Sequence, residues 1–239
     1  MNSVFRALAA GAAVAAFALT SPSTLAQGTC GVSDPNDHGM AHGGPIEQTA
    51  CATPASKAFA EANAKMHKDM AIAYAEDADV DFVRAMIPHH QGAIDMARIV
   101  AQHGKAPEIK SLAAEIITAQ EKEIGWMRAW LSIPANALTA MVEDHDHGTG
   151  PMVPGTTAAK AFVEANAKMH KDMAIDYSDN ADIDFARGMI PHHQGAIDMA
   201  KIVLEHGKGA QVKKLAAEIV AAQEREIAWM RDWLRKQGN

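Results

Sequence analysis

Long apolar runs are missing from the body of this chain. After Leu19 no stretch approaches the ~18 consecutive apolar residues of a membrane span, so no membrane helix is expected there. Basic residues are in deficit, with 22 Lys and Arg against 29 Asp and Glu and a net charge of −7. An acidic chain without a basic stripe cannot neutralise a phosphate backbone, so nucleic acid is not an expected partner. Strand-period alternation is nearly absent, which argues against a sheet-based fold. No Ser/His/Asp or Cys/His arrangement for nucleophilic catalysis is recognisable. Cysteine is limited to Cys30 and Cys51. In an oxidising compartment an even count predicts a disulfide closing the N-terminal segment. Two free thiols, or a soft metal held between them, are the alternatives.

The first 26 residues read as a secretory signal. Arg6 supplies the positive start, Ala7 to Leu19 an apolar run too short to span a bilayer, and Leu25-Ala26 the approach to a cleavage point. The mature protein is therefore expected to be periplasmic or secreted. Most of the remaining chain is a duplication. Shifted by 103 positions, Ala58 to Leu131 aligns with Ala161 to Leu234 without a gap, and 53 of 74 positions are identical. The expected organisation is a signal over 1–26, a Gly/Pro/His-rich segment over 27–55, a first repeat over 56–133, a His/Gly/Pro linker over 134–157 and a second repeat over 158–239.

Within each copy the apolar period is helical. Phe59, Met66, Met70 and Ala73 share one face of a first helix. Phe82, Met86, His89, Ala93, Met96, Val100 and His103 form the seam of a second, with Asp79 as N-cap and Gly104 as stop. Pro107 suits the start of a third, which carries Ile109, Leu112, Ile116, Ile124, Met127 and Leu131 inward and ends by Pro134. The fold class is therefore all-α, a helical bundle built from two tandem three-helix repeats. Pro88 interrupts the seam of the second helix without changing its period, so a continuous but kinked helix is expected.

The stretch MIPHHQGAIDMA occurs twice, from Met86 and from Met189. His89 lies on the seam and His90 beside it, about 100° round the helix. A hairpin turn centred between Asp77 and Ala78 puts Met66 level with His89 and Met70 level with Met86. One level of the bundle then gathers Met66, Met70, Met86, Met127 and His89, with His67 and His90 at its edge. Its counterpart gathers Met169, Met173, Met189, Met230 and His192, with His170 and His193. Each copy is thereby expected to hold one core site. Glu123 and Glu226 fall near enough in height to orient an imidazole. Thioether plus imidazole is a soft-to-borderline donor set, which suits Cu(I) and Cu(II) better than calcium, magnesium or structural zinc. A methionine stripe at helical spacing is also ordinary core material. Met96 and its equivalent Met199 lie ~10 Å along the helix from the seam histidine, too far for a shared coordination sphere. The loops add His38, Met40, His42, His145 and His147, donors suited to weak, adaptable binding.

FVRAMIPHHQGAIDMA from Phe82, FARGMIPHHQGAIDMA from Phe185 and the two MHKDM segments resemble the signature of the domain of unknown function 305 family. The resemblance covers both copies. It implies a helical, ferritin-like architecture and, through similarity to CopM-like periplasmic proteins, copper binding and copper tolerance. Carried over by position, it points to Met66, His67, Met70, Met86, His89, His90 and Met96, and to Met169, His170, Met173, Met189, His192, His193 and Met199. Di-iron chemistry does not follow from that architecture, because no Glu in this chain is followed by His at the third position. The expected function is an exported copper-binding protein that sequesters copper or hands it to another copper-handling protein. A copper-dependent oxidase acting on Cu(I) and a metal-free helical module docking a partner are the alternatives.

Overall fold

Six α-helices and no strand make up the described residues, 53–134 and 155–238 of a computed structural model. The expected signal, both cysteines of the expected disulfide and the expected weak sites at His38, Met40, His42, His145 and His147 lie outside them. The helices are α1 (Pro54–Asp69), α2 (Ala78–His103) and α3 (Pro107–Leu131) in the first half, and α4 (Thr157–Asp172), α5 (Ala181–His206) and α6 (Ala210–Lys236) in the second. The protein is thus an all-α bundle of two three-helix halves. Among the described residues no helix is long and apolar enough to cross a membrane.

Local chemistry sets most of the helix ends. Thr53 caps α1 by accepting from Ser56 N at 3.2 Å, and Pro54 takes the first turn. The α2 cap is Asp77, whose carboxylate accepts from Asp79 N and Val80 N. Asp79, expected in that role, stands two residues inside the helix, and its carboxylate faces the other half of the molecule. Gly104 stops α2 and Pro107 starts α3, as their positions predict. Helix α3 ends at Leu131, before Pro134. Helix α2 runs unbroken through Pro88, and α5 through Pro191.

The first connection differs from a tight hairpin. Helix α1 stops at Asp69, Met70 closes it, and residues 71–77 are non-helical before α2 begins. Ala73 therefore lies beyond the helix. The longer link changes the register. Met66 covers Gly92, where an added Cβ would stand 2.6 Å from the sulfur and 2.7 Å from Cγ. That is about one turn past the His89 level expected from a hairpin. Met169 repeats the contact on Gly195 at the same 2.6 Å. A glycine is needed at both places because the first helix lies on the backbone of the second.

Helices α2 and α5 form the centre, each touching both flanking helices of its own half and each other. Their side chains are buried nearly all round: Phe82, Val83, Met86, Ala93 and Val100 have no exposure, nor do Phe185, Ala186, Met189, Ala196 and Val203. The pair runs antiparallel, since His89 meets His192 while Met96 reaches the Gly188 position. An approximate two-fold axis passes between the two histidines, and contacts come in pairs about it. Phe59 stacks on Tyr177 and Phe162 on Tyr74, each at 6.2 Å. The Asp79 carboxylate accepts from Lys208 N and Gly209 N at 2.8 and 2.9 Å, and Asp182 from Lys105 N and Ala106 N at 2.8 and 3.1 Å. Neither α3 nor α6 has a side-chain cap of its own. Each half therefore satisfies backbone donors at the start of the other's third helix. The turns before α2 and α5 add a second exchange. Glu76 and Asp179 adopt left-handed backbone, φ 58° and 60°, and accept from Gly155 and Thr156 N–H and from Thr53 N–H and Ser56 Oγ.

Candidate metal centre

The duplicated MIPHHQGAIDMA segment brings its histidines to the axis. His89 and His192 face each other with ring centroids 3.7 Å apart and planes 40° apart, both without exposure. Each ring reaches the other residue's backbone: His89 Nε2 lies 3.1 Å from His192 O, and His192 Nε2 lies 3.0 Å from His89 O. A carbonyl can only accept, so both Nε2 atoms carry the proton, and Nδ1 of each ring holds the free lone pair. His90 and His193, also unexposed, sit beside them at 6.1 and 6.0 Å between ring centroids. Their Nε2 atoms lie 2.6 Å from Glu123 Oε2 and Glu226 Oε2. The expectation that these two glutamates orient imidazoles holds. A carboxylate acceptor again places the proton on Nε2 and leaves Nδ1 as the basic nitrogen.

All four of these Nδ1 atoms are buried with no hydrogen-bond partner. A buried polar atom left unpaired costs ~1–3 kcal/mol, and four at one place call for a partner, either ordered water or a ligand. His67 and His170 extend the group from α1 and α4. Their rings stack at 3.8 Å and 22°, half-buried, and their Nε2 atoms are likewise buried without a partner. Burial, reinforced by His170, pulls the His67 pKa down to about 4. Burial also lowers His170. His89 and His192 are pushed well below the ordinary imidazole value, first by burial and then by neighbouring histidines. His67, His89, His170 and His192 are therefore held as neutral rings at neutral pH, the form in which imidazole binds metal.

Helical spacing alone assigned these histidines to two separate levels, one in each copy. In the structure they form one group on the axis. The methionines behave differently. Met66, Met70, Met86 and Met127, and Met169, Met173, Met189 and Met230, are buried within the two halves. Met96 and Met199 are buried as well, Met96 with its sulfur 4.0 Å from the Cβ position at Gly188, one turn from His192. His103 and His206 stand in the last turns of α2 and α5, away from the axis. Among the described residues, no three His, Cys, Asp or Glu side chains surround a common point. A metal held here would draw on the histidine nitrogens together with thioether sulfur, or would turn the rings. Sequence reasoning missed the carbonyl partners of His89 and His192. The available signal was the duplication, because a seam residue near a two-fold axis must meet its own equivalent.

The family model described as domain of unknown function (DUF305) matches residues 40–131 and 79–234. The chain belongs to the DUF305 family. Among solved structures the chain is similar to CopM in a Cu(I)-bound form, 31% identical over 67% of this chain and 98% of that one, with a TM-score of 0.48. CopM has also been crystallised in a Cu(II)-bound form and with silver, each 31% identical to this chain. A DUF305 protein of Streptomyces coelicolor, named as secreted, is 26% identical over 69% of this chain and 96% of that one, with a TM-score of 0.51. An uncharacterized protein of Acanthamoeba polyphaga mimivirus, L153, is 42% identical over 53 residues. That match spans 22% of this chain and 35% of L153.

Proposed function

We propose that this DUF305 protein is an exported copper-binding protein that sequesters copper or passes it on, and that the histidines of the axis hold the ion. The observation that carries this reading is the set of four buried imidazoles whose Nε2–H groups are committed to carbonyl or carboxylate, leaving four Nδ1 lone pairs unpaired. Such partners orient a ring and raise its basicity toward a metal. The buried methionines around α1, α2, α4 and α5 supply the soft donors that Cu(I) accepts beside imidazole. Similarity to CopM, solved in Cu(I)-, Cu(II)- and silver-bound forms, supports the same metal. The loop histidines 38, 42, 145 and 147 are the weak outer sites of this scheme.

The test exploits glutamine, whose amide can donate where Nε2–H did but offers no ring nitrogen. His89, His90, His192 and His193 are all changed to Gln. The expected protein is folded, by circular dichroism, and has lost its tight copper in competition titrations against chelators. A folded fourfold variant that still loads like wild type would remove the histidines from the site.

A further inference from the structure

The buried histidines have a visible connection to solvent. Between α3 and α6 lie two grooves of about 500 and 570 Å³, related by the two-fold axis. Ala119, Glu123 and Trp126 line the first with Lys214 and Glu218 opposite; Ala222, Glu226 and Trp229 line the second with Ser111 and Glu115 opposite. Glu123 and Glu226 are the same residues that hold His90 and His193 at 2.6 Å. Their side chains keep 22% and 23% exposure, while the imidazoles behind them have none. One carboxylate in each groove therefore touches solvent on one side and the buried group on the other.

Resting on the copper reading, we propose that these two grooves are the doors through which a soft cation reaches the axis. Glu123 and Glu226 are the carriers: each carboxylate turns outward to take the ion from water and returns with it to the histidine it normally holds. A carboxylate is a poor final ligand for Cu(I) or Ag(I), so it releases the ion to imidazole and thioether. The two doors differ in charge. The first groove sets Lys122 and Lys214 against Glu123 and Glu218, whereas the second sets Arg225 alone against Glu108, Glu115 and Glu226. A cation is therefore steered more strongly to the second.

The doors can be plugged without touching a histidine or its glutamate. Ala119→Trp fills the first groove and Ala222→Trp the second. Purified full-length protein is mixed with Ag(I) in chloride-free buffer, quenched with a thiol chelator at set times, and its retained silver counted. The double variant is expected to reach the wild-type silver content but to load on the order of tenfold more slowly, as a gated step does. Of the single variants, Ala222→Trp should slow loading more than Ala119→Trp. The same plugs placed from the facing wall, Lys214→Trp with Ser111→Trp, remove no carboxylate from either groove, guard against an effect of local misfolding and should slow loading likewise. A doubly plugged, folded protein that loads at the wild-type rate overturns the route. So does loading that slows only when His67 and His170 are changed to Phe. If those results appear while wild type still binds silver, the copper reading stands alone. A wild-type chain that takes up no silver or copper overturns both.

Discussion

At the scale of single residues, the histidines work by what is done to each nitrogen. A carbonyl or a carboxylate fixes Nε2–H, and burial keeps the carbonyl-bound rings of His89 and His192 neutral. That arrangement has a measurable cost in acid. The folded-state pKa values of His67, His89, His170 and His192 lie below the unfolded value of about 6.5, so the unfolded chain binds more protons once pH falls below it. The stability that neutral rings allow is complete above pH 6.5 and is lost progressively toward pH 4. His89 and His192, fully buried, should each add a slope of up to ~1.4 kcal/mol per pH unit in that window. Urea unfolding of the metal-free protein at pH 7.5, 6 and 5 checks this. Midpoints should fall with pH, and less so in the His89→Gln, His192→Gln variant. Equal midpoints at all three values would contradict the burial of neutral rings.

At the scale of elements, two glycines illustrate opposite situations. Gly92 lies under Met66, and an added methyl would meet Sδ, Cγ and Cβ of that side chain between 2.6 and 3.1 Å. Gly92→Ala should therefore push α1 off α2 and destabilise by ~1–3 kcal/mol, the range for overpacking a core. Gly125, in the middle of α3, has nothing within 4 Å of the place a Cβ would take. There Gly125→Ala should stabilise by ~0.5–1 kcal/mol through helix propensity alone. The second copy already carries alanine at the equivalent position, Ala228. Thermal denaturation of the two variants should move in opposite directions, and a stabilised Gly92→Ala would show that Met66 does not bear on that backbone. The repeated proline is a milder event. Period and packing keep α2 and α5 helical across Pro88 and Pro191, as the uninterrupted seam on either side suggested.

At the scale of the whole molecule, the halves are joined by exchanged caps rather than by apolar contact alone. Asp79 and Asp182 each hold two backbone N–H groups of the other half, and each is almost wholly buried, at 8% and 6% exposure. Removing both carboxylates leaves those donors unpaired at the starts of α3 and α6. Asp79→Ala with Asp182→Ala should lower stability by ~1–3 kcal/mol per site. Because the axis histidines depend on both halves, the variant should also weaken the proposed copper binding, though neither aspartate lies among those histidines. Calorimetry and a copper titration of the same sample test the pair. Lost stability with unchanged copper affinity would mean that the site does not need the halves held in register.

The amino-acid sequence by itself determined the duplication, the six helices and most of their ends. Those features follow from neighbours: the 3.6-residue period, Pro107 at a start and Gly104 at a stop. It also singled out the histidines, the methionines and the two glutamates, because residue type and spacing along one helix are visible in one dimension. The register of α1 on α2 was not legible. It depends on whether residues 71–77 form a tight turn or an extended link, and Met66 shifts by about a turn between the two. Nor did Asp79 disclose its role, since an aspartate at a helix start satisfies the local rule for a cap while its carboxylate in fact accepts from residues 208 and 209. The largest difference is at the site. Two identical segments 103 residues apart are equally consistent with two separate pockets and with one shared group. Only the antiparallel crossing of α2 and α5 decided it, because a two-fold axis through a seam residue brings that residue against its own copy.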